Sequence, residues 1–186
     1  MPDQDPPQIP PASQLAAARI YAIDAYGAIE LALSILVSTL LGVDVRDGAA
    51  IVMRMTNTRS RYALISDLLQ KPAFAPWRPF WVGLEKMLKP LDATRNNVVH
   101  WMAVVNLDSP ADASLRSVKS FLGGQGGLSV GEIAAFAQDC ERMNTLITLY
   151  EQFLRKPHPA GAYESIFRSK ADDQSLKALL RILAES

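Results

Sequence analysis

From Ser13 to Gly42 the chain returns to a small or apolar residue every three or four positions. Leu15, Ala18, Ala22, Ala25, Ile29, Leu33, Leu36 and Leu40 fall on one stripe, the spacing of a long α-helix with a buried face. Ser13 is the expected N-cap and Gly42 the expected C-cap. Five prolines precede it (Pro2, Pro6, Pro7, Pro10 and Pro11), so residues 1–12 read as a flexible tail with polyproline II character.

The same periodicity recurs downstream. Asp47 is expected to open a second helical region with Ile51, Met55, Tyr62, Ile65, Leu68 and Leu69 inward, interrupted at Thr56-Asn57-Thr58, where helix formers are weak. A loop with Pro72 and Pro76 leads to a third helix from about Pro79, with Pro90 predicted to kink or split it. Val104-Val105 and Leu115–Val118 flank Asp108-Ser109-Pro110 and suit a short hairpin. Ser129 and Glu132 form a capping box ahead of a fourth helix that stops before Pro157. A linker over 156–172 and a last helix, Asp173 to Glu185, complete the chain. The expected fold is all-α: an antiparallel bundle of four to five helices, with residues 13–156 as the bundle and 157–186 as linker plus a C-terminal helix.

Lysine plus arginine and aspartate plus glutamate both total 19. Zero net charge gives no whole-molecule attraction for nucleic acid, so any such site has to be a local basic cleft. The one cysteine, Cys140, sits among apolar neighbours and reads as a buried structural thiol. No metal cluster and no cofactor motif is expected. Gly123-Gly124-Gln125-Gly126-Gly127 lacks the lysine and spacing of a phosphate loop. The Pro-rich, acidic start is unlike a secretory signal, and the uncharged run Leu31–Val43 is too short to span a bilayer. The expected compartment is the cytoplasm, with no membrane partner.

Of two histidines, His158 lies between prolines with no partner in sequence. His100 follows Arg95 by five positions and Asn96 by four on the third helix. Asn96 and His100 share a helix face, whereas Arg95 and His100 are offset by about 140°. Such a pair can flank a groove against a second helix, or a symmetric dimer can place two copies across one cleft. The chemistry suits RNA cleavage. A histidine titrating near neutrality can take the proton of a ribose 2′-hydroxyl or give one to the leaving 5′-oxygen. An arginine can grip the phosphate through two hydrogen bonds.

Arg95-Asn96-x-x-x-His100, late in a long helix of an all-α chain, resembles the HEPN superfamily, marked by arginine, a polar residue, then histidine four to six positions after the arginine. Tyr26-Gly27-Ala28-Ile29-Glu30, Trp101 and the helix start Leu128–Ile133 are similar to features of bacterial HEPN-like proteins. The resemblance covers about residues 15–155. It implies a bundle that homodimerises through the motif helix. It also implies a metal-independent endoribonuclease, of the kind found in toxin–antitoxin and phage-defence systems. In that case Arg95 and His100 are catalytic, Asn96 is the polar helper, and Glu30, Asn97 and Trp101 support them. Members that have lost activity serve as interaction or regulatory modules, so an antitoxin-like or other protein partner is the alternative to an RNA substrate.

Glu30 is the one acid between Ala25 and Val43. It either pairs with a cation or donor, with Arg95 or Asn96 favoured, or faces solvent. Arg54, Arg59 and Arg61 either extend a phosphate-binding groove or form a solvated face. Trp77, Phe80 and Trp81 either stack on bases or pack against the bundle.

Overall fold

The computed structural model describes residues 10–105, 113–121, 126–155 and 162–184. In chain order these are α1 (Pro11–Leu41), α2 (Val45–Met53), α3 (Thr58–Leu68), a 3-10 turn (Ala75–Trp77), α4 (Arg78–His100), β1 (Met102–Val104), β2 (Ser114–Arg116), α5 (Val118–Phe121), β3 (Leu128–Ser129), α6 (Val130–Arg155), α7 (Ala162–Arg168) and α8 (Asp173–Ala184). Helices hold 79% of the described residues and strands 5%, so the fold is all-α.

Local chemistry sets most of the boundaries, not always at the expected residue. α1 begins two residues before Ser13, with Pro10 as N-cap and no side-chain cap. Pro11 supplies the pre-set φ of a first turn, and Ser13 already donates its N–H to the Pro10 carbonyl at 2.9 Å. Gly42 ends the helix as expected, at φ 71°, with its N–H returning to Ser38, a left-handed cap that glycine adopts without strain. The Lys71 ammonium donates to the Leu40 carbonyl at 3.2 Å, placing a cation at the negative end of α1. Asp44, not Asp47, caps α2 by accepting from the Arg46 N–H. The break at Thr56-Asn57-Thr58 is present, and Asn57 caps α3 through the Ser60 N–H.

α4 runs through Pro90 as one helix. Pro90 is exposed, and the turns around it are pinned by buried Leu84, Leu88 and Leu91, so the missing backbone donor is borne on the solvent side. The hairpin forms between β1 and β2, Met102 opposite Arg116 and Val104 opposite Ser114, and β3 adds a third antiparallel strand on β2. The expected turn Asp108-Ser109-Pro110 lies outside the described residues, as do His158 and residues 123–125. The Ser129–Glu132 box closes reciprocally, at 2.8 Å from the Ser129 N–H to the Glu132 carboxylate and 3.2 Å from the Glu132 N–H to Ser129 Oγ. The expected linker carries α7, anchored by buried Phe167. Its apolar content is too brief for periodicity to reveal.

Three long helices carry the core. Contacts of Arg19 with Val99 and of Tyr26 with Asp92 show that α1 and α4 run in opposite directions. Thr39 bonds Glu151 and Tyr26 stacks on Phe136, so α1 and α6 run the same way. By length and composition α1 is the one helix among the described residues that can cross a membrane. In this fold it is the central element, burying Leu15, Ile29, Leu36 and Val37 against its neighbours.

Candidate functional site

The motif occupies the last two turns of α4. Val98 points into the core while Asn96 and His100 are exposed and Arg95 is half-buried. His100 is the final residue of the helix; Trp101 is extended, and its N–H caps the Asn97 carbonyl at 2.9 Å. The Val99 carbonyl, in the last turn, has no intrahelical partner to accept from. Arg19 of α1 supplies one, donating at 2.6 Å.

Arg95 lies back along α4 toward α1. Its guanidinium sits over the Tyr26 ring, 5.5 Å from the centroid, a cation–π contact strengthened by partial burial. One nitrogen donates to the Asn96 side-chain oxygen at 3.3 Å. One turn upstream, Asp92 accepts from the Tyr26 hydroxyl at 2.5 Å and from the Tyr62 hydroxyl at 2.9 and 3.0 Å. Three helices thus converge on one carboxylate: Tyr26 from α1, Tyr62 from α3 and Asp92 from α4. Tyr26 and Tyr62 are buried; Asp92 is half-buried. Burial holds the Asp92 carboxyl above the ordinary aspartate value, and the two hydroxyls with the charges of Arg61 and Arg95 oppose that shift. Burial, reinforced by Asp92, pushes both phenols upward, so they stay protonated donors.

Glu30 is not the partner of Arg95 or Asn96. It pairs with Arg61 at 2.7 Å, both side chains largely shielded from solvent. Glu30 lies one turn beyond Tyr26 on α1, within reach of Arg61 of α3. Arg61 also donates to the Met55 carbonyl at 3.1 and 3.3 Å. Arg61 is therefore committed to structure, whereas Arg54 and Arg59 are exposed. Asn97 is half-buried, and Trp101 packs at the edge of the core. Phe80 and Trp81 are fully buried, and Trp77 packs edge-on against Phe153 at 4.8 Å, which is packing and not base stacking. Cys140 is buried, its thiol pushed up to about 12 by burial and by nearby carboxylates. No group of three His, Cys, Asp or Glu residues gathers among the described residues.

Sequence spacing thus located Arg95, Asn96 and His100 on one exposed helix end but overlooked Arg19, Tyr62 and Asp92. Asp92 stands three residues before Arg95, on the same face, which is the only local signal it gives. The others are brought in by helix packing. No family model matches the chain, and no curated protein or solved structure matches it.

Proposed function

We propose that the chain is a HEPN-type, metal-independent endoribonuclease of the bacterial cytoplasm, its active site completed across a homodimer of the bundle. The observation that carries this reading is the grouping of Arg95, Asn96 and His100 at the open C-terminal end of α4, with Asn96 and His100 exposed and Arg95 held over Tyr26. In the reaction a histidine removes the proton of the ribose 2′-hydroxyl, and that oxygen attacks the adjacent phosphorus. The 5′-oxygen leaves with a proton returned by a histidine, giving a 2′,3′-cyclic phosphate and a 5′-hydroxyl end. Arg95 neutralises the charge gathering on the phosphate oxygens, and Asn96 steadies it. The two copies of His100 across the dimer can divide the base and acid roles.

The test is RNA cleavage by the full chain and by His100→Ala. General acid–base catalysis contributes about 10²–10⁴-fold, so the variant should lose at least the lower figure while its thermal unfolding stays unchanged. Equal cleavage by the variant, or none by the wild-type dimer, ends the catalytic claim.

A second reading, an inactive HEPN-like interaction module, is favoured by a different observation. Ile20, Ile23 and Leu31 are exposed on α1, Ile20 at 63% and Leu31 at 54%, and exposed apolar side chains on one side of a helix are what a protein partner would cover. Capture of a stable protein partner, with no nuclease activity on any RNA class, selects it.

A further inference from the structure

Asp92 and Arg95 are three residues apart on α4, the spacing at which a carboxylate and a guanidinium ordinarily pair. They form no ion pair. The carboxylate is instead occupied from the other side: Tyr26 donates to one oxygen, and Tyr62 bridges both. Both tyrosines are themselves fixed. Tyr26 stacks on Phe136 with centroids 6.5 Å apart, and Tyr62 sits edge-on to Trp81 at 5.9 Å. Both rings are buried, which restrains either hydroxyl from following the carboxylate if it turns. Arg61, the other nearby cation, is held by Glu30 and cannot take Asp92 either. Arg95 is left with its ring contact and one long bond to Asn96, so most of its five donors are uncommitted.

We propose that the hydroxyls of Tyr26 and Tyr62 hold the Asp92 carboxylate off Arg95, keeping the guanidinium open for a phosphate oxyanion. The proposal rests on the reading of Arg95 as the phosphate-holding group. Tyr26 and Tyr62 are then positioning residues, acting through Asp92. Without the hydroxyls, the carboxylate gains by turning onto Arg95, and the phosphate must compete with an internal anion.

The test follows the Arg95 Nε–H resonance of the full chain during titration with inorganic phosphate, assigned with Arg95→Lys. The wild type should show a saturable shift. Tyr26→Phe/Tyr62→Phe, which keeps both rings, should bind about tenfold more weakly, the size of one charge-assisted hydrogen bond that a competitor takes over. Adding Asp92→Asn should restore the wild-type affinity by removing the competitor. A double variant that binds like the wild type, a triple variant that does not recover, or a wild-type Arg95 indifferent to phosphate overturns the proposal. Should the triple variant not fold, carboxyl titration of Asp92 in the double variant decides instead. Loss of two donors alone raises its pKa, whereas pairing with Arg95 lowers it, and a rise overturns the proposal. Phosphate binding at Arg95 without RNA cleavage sinks the nuclease reading alone.

Discussion

Upstream of Pro90, α4 sends Phe80, Trp81, Leu84 and Leu88 into full burial, whereas downstream it offers Asp92, Arg95, Asn96 and His100 to polar partners and solvent. The upstream half meets an aromatic cluster. Phe80 lies 5.1 Å from Tyr150 and 4.8 Å from Phe167, and Phe153 packs at 4.6 Å from Phe167. The downstream half meets hydroxyls, carboxylates and guanidiniums. Apolar packing is non-directional and scales with the area removed from water, while the polar cluster works only at one geometry. The same helix therefore anchors the fold at one end and presents chemistry at the other.

The largest effect that can break this comparison is at Phe80. Phe80→Ala empties a fully buried aromatic site touched from α6 and α7, and should cost about 3–5 kcal/mol in urea unfolding. By contrast, His100→Ala at the exposed end should stay within about 0.5 kcal/mol of the wild type. Similar losses from both substitutions would mean that the two ends of α4 share one structural role.

The next effect sharpens where the upstream half touches its neighbours. Gly83 lies on the buried face of α4, and a Cβ there would come within 2.2 Å of the Ala171 carbonyl oxygen and 2.4 Å of its nitrogen. The backbone between α7 and α8 crosses α4 at this point, and only glycine lets it do so. Gly83→Ala should therefore destabilise by about 1–3 kcal/mol despite its better helix propensity. A gain in stability, as at an ordinary helix glycine, would show that this crossing is not packed in solution.

The two halves also differ in how far the chain announces them. The long stripes of α1, α4 and α6 and the Ser129–Glu132 box are legible because each depends on residues three or four apart. Gly42 is legible for the same reason. The partner of Glu30 is not. Arg61 is 31 residues away, and whether it or Arg95 reaches Glu30 depends on how α3 and α4 pack against α1. Ser13 carries the right side chain for a cap, but prolines at 10 and 11 start the helix earlier. Among the described side chains of α7, Phe167 is the buried anchor, too little to set a period. Of the site, Arg95, Asn96 and His100 could be read from spacing, whereas Tyr62 and Arg19 enter only through tertiary packing.

The smallest effect tests the polar end directly, through the pH dependence of stability. Burial holds the folded Asp92 carboxyl above its ordinary value. In the pH window just above about 3.9, the ordinary aspartate value, the folded chain therefore keeps a proton that the unfolded chain releases. The resulting stability is fully present below that value and is lost as pH rises through the folded one. Asp92→Asn has no such titration. The unfolding free energy of the wild type minus that of the variant should accordingly fall as pH rises through the window, then level off. Taking the difference cancels the titration of every group the substitution leaves alone. The reverse slope, a difference growing with pH, would mean that the folded carboxyl sits below its ordinary value. Burial would then be outweighed by the groups that oppose it, the hydroxyls of Tyr26 and Tyr62 and the charges of Arg61 and Arg95. A reverse slope that vanished on Arg95→Ala would place Asp92 on Arg95, and the downstream half of α4 would be a closed ion pair instead of an open anion-binding end.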